Sequence, residues 1–250
     1  MNTPLQKQLK ILLIGDCCID EYQYGTVDRI SPEAPVPIFK HLRSDEKLGM
    51  VYNVRDNLEK LGCEVTLLTR EPSRKIRLID SRSGHHIVRI DQDVITVPVD
   101  ILPSVILDYD AIVISDYDKG VVTYGLVEQL IQMASVPIFI DTKKTDLARF
   151  EGAIVKINSS ENSLARTFPT ELIVTTGKQG ARYKGRQYPA VEIDVVDVCG
   201  AGDTFLAALV YGYLVERNMS TAITFAVQAG AVTVQHMGVY APTLEEIICV

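Results

Sequence analysis

From Tyr109 onward the chain alternates between short apolar runs and amphipathic stretches, and this order narrows the fold more than any other feature. "YDAIVISD", "VPIFIDT", "GAIVKIN" and "ELIVTTG" each read as a strand. "VVTYGLVEQLIQMAS", between the first two, reads as a helix. Apolar strands joined through helices form a mostly parallel sheet covered on both faces. "LKILLIGD" near the start reads as one more buried strand. A length of 250 residues suits a single α/β domain with a sizeable core.

Between Tyr22 and Asp91 the character changes. "YQYGTV", "PVPIFKHL", "KIRLIDS" and "HHIVRID" are short, alternating and β-prone, with a hairpin turn at "SRSG". They predict a small β layer within the domain, at about residues 21–44 and 74–92. Between them, "GMVYNVRDNLEKLGCEVTLLT" predicts a helix ended by Gly62 and then a core strand.

Ligands of open parallel sheets bind beyond the carboxyl ends of the strands. Polar residues fall at several such ends: Asp16 and Asp20, Asp116, Asp141 and Lys143, Asn158, and Thr175 to Gly177. Any one of them suits a helix cap or a turn. Together they offer carboxylates for sugar hydroxyls and lysine for phosphate. "VCGAGDTFLAAL" adds Gly200, Ala201 and Gly202 directly before Asp203 and an apolar helix. Glycines let the backbone approach a ligand closely, and the unpaired N–H groups of a helix start bind anions. A carboxylate there can be a cap or a base beside a phosphoryl group, and the turn alone leaves both open. No G-x-x-x-x-G-K-[ST] occurs, and Phe205 stands where G-x-G-x-x-G needs its third glycine.

The formal charge of −7 argues against nucleic acid or an anionic membrane as a general partner. The apolar runs are too short to span a bilayer, and "MNTPLQKQLKILLIGD" lacks the features of a signal peptide. Five cysteines without a C-x-x-C read as free thiols of a cytoplasmic protein. The histidines show no zinc-ligand spacing, and His85 and His86 read as the shoulder of a hairpin.

"VCGAGDTFLAAL" resembles the second signature of the ribokinase-like (PfkB) carbohydrate kinases. "GDCCIDEYQYGTVDRISPEAPVPIFK", "ISDYDKG" and "IDTKKTDLARFEGAIVKIN" extend the resemblance over most of the chain. They are similar to the family members that phosphorylate D-glycero-β-D-manno-heptose 7-phosphate, often as one half of a bifunctional protein. "RISPEAPVP" is the most specific match.

The resemblance implies a ribokinase-like fold with a β lid, a sugar or sugar phosphate as acceptor, and ATP and Mg²⁺ as cofactors. It implies Asp203 as the base and Gly200, Ala201 and Gly202 as an anion hole. Asp20, Gly49 and Asn53 would hold the sugar, with Asp16 and Asp141 as further candidates at the strand ends. Lys119 and Lys143 would face the sugar phosphate. Asn158 and Glu161 would position Mg²⁺ through water, and Thr175, Gly177 and Gly180 would form the nucleotide loop. The lid implies a homodimer.

The chain also departs from the pattern. Met50 stands at the second glycine of G-G-x-x-x-N, Cys199 at a usual threonine, and Lys156-Ile157 at a Thr-Pro. About a helix plus a strand is missing before "KIRLID", and a similar amount before "ELIVTTG". These departures keep two alternatives open: a non-catalytic sugar-phosphate or nucleotide binding protein, and a kinase for another sugar or a nucleoside.

Overall fold

The computed structural model describes residues 8–100 and 106–250. The leader reading rests partly on residues 1–7, which lie outside the described residues.

The first apolar run forms β1 (Lys10–Gly15) at the heart of an eight-stranded sheet. It pairs in parallel with β4 (Glu64–Leu68) on one side and β7 (Ala111–Asp116) on the other. The sheet continues in parallel through β8 (Ile138–Thr142), β9 (Ile154–Asn158) and β10 (Leu172–Thr175). Two short antiparallel strands, β11 (Ala181–Tyr183) and β12 (Arg186–Tyr188), close that edge.

Alternation along β1 explains why both faces are covered, since successive side chains point to opposite sides. Ile11 and Leu13 enter a core with α1 (Val51–Lys60), α4 (Ala201–Glu216) and α5 (Met219–Thr233). Leu12 and Ile14 enter a second core with α2 (Tyr124–Met133). The predicted helix over Val121–Ser135 is shorter because Thr123 caps it, accepting from the Leu126 amide, while Val121 and Val122 are buried before the cap. α1 ends as its sequence predicts, with Gly62 at φ +89° just past the last turn. α5 begins at Met219, because the Asn218 side chain caps it by accepting from the Thr221 amide, and ends at Thr233. α3 (Ser159–Leu164) and α6 (Leu244–Ile248) are single short turns.

The β-prone region forms a separate four-stranded sheet in the order β3-β2-β5-β6. Its strands are β2 (Cys17–Ile30), β3 (Pro37–Met50), β5 (Ser73–Asp80) and β6 (His86–Gln92). β2 and β3 make a long hairpin that starts directly at the end of β1, and "SPEAPV" is its tip. Only short connections link β4 to β5 and α3 to β10, at the two places where the sequence looks abbreviated.

Met50 joins this lid to the core. It is the N-cap of α1 at φ 59°, ψ −122°, a region that a bulky side chain enters only under strain. Comparing Met50→Gly with Met50→Ala isolates that strain, because both variants lose the buried side chain. The glycine variant should be more stable by about 1–2 kcal/mol in chemical denaturation. Equal stability would mean that the backbone is not strained there.

Candidate active site

The carboxyl ends of β1, β7, β8, β9 and β10 converge, and the start of α4 comes to meet them. Gly200 sits at φ 77° and caps α4 without any side chain. The first helical bond runs from the Thr204 amide to the Gly200 carbonyl, so the Gly202 and Asp203 amides precede it and have no partner within the helix. Beside this turn lies a cavity of about 960 Å³, lined by Asn158, Thr175, Gly177, Gly180, Gly202 and Lys156. That volume suits a nucleotide.

Asp203 is buried at the mouth of the turn, 8% exposed. Asn53 Nδ2, from α1, donates to Asp203 Oδ2 at 2.7 Å. The Tyr117 hydroxyl, just beyond β7, donates to Oδ1 at 3.2 Å. Burial pushes the Asp203 carboxyl up to about 6, and the Asp141 charge adds to the rise against the Asn53 hydrogen bond and Lys156. A carboxylate poised there is ionised at neutral pH and can still take a proton. Tyr117 is held well above its ordinary value, chiefly by the Asp203 charge, and remains a donor.

On the lid side, Asp20 accepts from Arg77 Nη1 and from Cys18 Sγ. Burial, then the Asp20 charge, push the Cys18 thiol up to about 12, so it stays protonated. Gly49 packs against this carboxylate: a Cβ there would lie 2.4 Å from Asp20 Oδ2. The pairing register puts Lys47, Asp20 and Lys75 side by side, and Asp45, Tyr22 and Arg77 next along. With Arg77 paired to Asp20, Lys47 and Lys75 leave this part of the lid face with a small positive excess over Asp45. Lys75 and Lys143 also approach the Tyr117 ring, at 6.0 and 5.4 Å from its centroid.

The other residues singled out by sequence divide. Asp16 lies at the site, and its two oxygens accept the Tyr117, Lys119 and Val121 amides, two on Oδ2 and one on Oδ1, which leaves Oδ1 room for one more donor. Its geometry is that of an anchor for the loop carrying Tyr117. Lys119 pairs with Asp93 at 2.5 Å. Asn158 and Glu161 form a reciprocal capping box at α3, and Glu161 also pairs with Lys143. Asp141 is bonded to Lys156 Nζ at 2.7 Å. Among the described residues no group of three acidic, histidine or cysteine side chains could hold a metal ion. All five cysteines are free, as their spacing indicates.

Sequence reasoning missed Tyr117, Lys75 and Arg77 as site residues and noted Lys156 only as a departure. Tyr117 lies inside "ISDYDKG", and a polar aromatic next to a strand-end aspartate was a usable signal. Nothing local marked Lys75 or Arg77, because their facing depends on the parallel pairing of β5 with β2.

Residues 128–247 match the model of the pfkB family carbohydrate kinase. The chain is 33% identical to the "Bifunctional protein HldE" of a Nitratiruptor species, over 95% of this chain and 64% of that one. It is 29% identical to the protein of the same name from Trichlorobacter lovleyi, over 96% and 62%. The chain therefore spans under two thirds of the length of these relatives. The Nitratiruptor alignment has 298 positions and 95% of 250 residues is 238, so about 60 of those positions face a gap in this chain. Among solved structures, the ribokinase of Thermotoga maritima has a TM-score of 0.74 at 14% identity, covering 97% of this chain and 98% of that one. The Arabidopsis thaliana ribokinase complexed with ribose and ATP has a TM-score of 0.73 at 16% identity, with the same coverage. The ribokinase-like fold expected from the sequence is the one observed.

Proposed function

Because the chain carries a pfkB family carbohydrate kinase domain, we propose that it transfers the γ-phosphoryl group of ATP to an alcohol of a sugar phosphate, with D-glycero-D-manno-heptose 7-phosphate as the leading acceptor. The observation that carries this reading is the position of Asp203: buried, poised near neutral pH, and set between a nucleotide-sized cavity and the lid face of Lys47 and Lys75. The acceptor hydroxyl gives its proton to Asp203 as its oxygen bonds to the γ-phosphorus. The bond from that phosphorus to the β,γ-bridging oxygen breaks, and ADP leaves. The amides of the Gly200–Asp203 turn take up charge on the moving group, and such electrostatic stabilisation is the main work in phosphoryl transfer.

Thr175, Gly177, Gly180 and Asn158 line the nucleotide side of the cavity. Asp20, Gly49 and Asn53 hold the sugar, and Lys75 and Lys143 face its phosphate. Asn158, which lines the cavity, and its capping partner Glu161 would hold Mg²⁺ through water once Lys143 turns from Glu161 to the sugar phosphate, since Mg²⁺ keeps several waters and needs only one or two carboxylates. When bound, Mg²⁺ would neutralise charge on the β- and γ-phosphates. The lid excludes water from the reacting groups. Its outer face exposes Leu48, Val88 and Ile90, and pairing of two lids would cover them in a homodimer working in the cytoplasm.

Two relatives named as bifunctional HldE proteins support the heptose acceptor. The acceptor phosphate is tested by steady-state kinetics with the sugar phosphate and the same sugar without it. Removing the phosphate should raise KM by about 10–100-fold, as loss of a charge-assisted contact does. Lys75→Met should erode that difference without changing KM for ATP. Equal KM values for the two sugars would sink the sugar-phosphate reading. The gap of about 60 positions favours one second reading, a binding protein without turnover. ATP binding with no acceptor-dependent ADP release would establish it.

A further inference from the structure

Lys156 is the buried cation of the site. It stands on β9 and is 3% exposed. Its ammonium donates one hydrogen bond to Asp141 Oδ2 at 2.7 Å, which leaves two of its three N–H donors. The same ammonium lies against the glycine turn: a Cβ added at Gly202 would sit 3.1 Å from Lys156 Nζ. Lys156, Ala201 and Gly202 line one wall of the nucleotide-sized cavity. The lysine therefore meets the cavity where the first amides of α4 do.

Stability alone is a poor reason for this pair. Burying two charges costs several kcal/mol per ion, and apolar residues of similar volume often serve as well or better. A buried ammonium at the wall of an anion site is also worth more than one in water, because the surroundings screen it little.

We propose that Lys156 is a catalytic residue whose ammonium, held by Asp141, contacts the phosphoryl group during transfer and carries charge alongside the α4 amides. The lysine stays protonated throughout and exchanges no proton with the substrate. This rests on the kinase reading above, so the test needs a readout that does not require turnover.

Binding of Mg·ADP with and without beryllium fluoride, a mimic of the γ-phosphoryl group, supplies that readout for the full chain. Wild type should bind ADP more tightly with fluoride present. Lys156→Met should lose that gain by about 10–100-fold, as removal of a charge-assisted bond does. ADP alone should bind within about twofold of wild type, and kcat should fall by about 10²–10³-fold, as on loss of one oxyanion donor. Lys156→Met leaves Asp141 buried without its cation, so the double variant Lys156→Met/Asp141→Asn is measured beside it. If the double variant regains kcat or the fluoride gain, the loss came from the orphaned carboxylate and the proposal is overturned. A fluoride gain that survives Lys156→Met, or that wild type lacks, overturns it as well. If wild type turns over no acceptor yet shows a Lys156-dependent fluoride gain, the kinase reading fails and Lys156 stands as a phosphoryl ligand.

Discussion

Asp203→Asn is expected to lower kcat by about 10²–10⁴-fold, the usual contribution of a general base, and to make the protein more stable at neutral pH. The two effects share one cause. Burial raises the Asp203 carboxyl from the usual 3.8 to about 6. Between those values the folded chain binds more protons than the unfolded chain, so stability falls as pH rises through the window. Above about pH 6 the full cost of the buried charge is present. At about 1.4 kcal/mol per factor of ten, that cost is about 3 kcal/mol. Asparagine carries no charge, and it forfeits about 1 kcal/mol of hydrogen bonding with Asn53 and Tyr117. The net gain at pH 7 is therefore about 2 kcal/mol. Denaturant titrations at about pH 4 and pH 7 read it directly: the advantage should be present at the higher pH and gone at the lower. A variant that loses stability at pH 7 would mean that the Asp203 charge is not costly where it is buried, and would contradict the raised carboxyl.

Gly200→Ala is expected to have the second-largest effect, although residue 200 makes no chemical contribution of its own. Its backbone lies at φ +77°, where an L-residue is strained by about 1–3 kcal/mol. The added methyl would stand 2.8 Å from Asn53 Nδ2 and 3.1 Å from Val239 Cγ1. Asn53 Nδ2 is the atom that holds Asp203 Oδ2. The methyl therefore displaces the donor that steadies the base, and a misplacement of about 1 Å in a reacting constellation costs about 10²-fold. Loss of that donor also removes an interaction that keeps the carboxyl low. So kcat should fall by about 10²-fold, and the acid limb of the kcat/KM profile should move to higher pH. A pH profile that stays in place while kcat falls would separate the glycine from the base and contradict the geometry.

The features legible in the sequence are those set by local periodicity and turn chemistry. The apolar runs of β1 and β7 to β10 could be little else than buried parallel strands, and both cores confirm the alternation. The glycine turn before α4 was readable because φ > 0 and a helix start leave few other uses for Gly-Ala-Gly-Asp. Contacts between distant segments were not readable. Asn53 meets Asp203 across 150 positions, and Arg77 meets Asp20 across 57. The sheet order and the β2–β5 pairing decide those meetings. Asp16 was legible in part: its strand-end place marks the site, but its three amide partners lie 101 to 105 positions away. The lid strands run longer than their alternating pieces, because bulges at Tyr24/Gly25 and Val27/Ile30 interrupt the alternation.

We read this chain as a kinase whose base is Asp203. The most direct test is ADP release from Mg·ATP by wild-type protein, with and without D-glycero-D-manno-heptose 7-phosphate, from about pH 5 to pH 8. The expected result is acceptor-dependent release whose kcat/KM falls away below about pH 6, following the Asp203 carboxyl. Release that no acceptor accelerates, or a rate flat across that range, would contradict it.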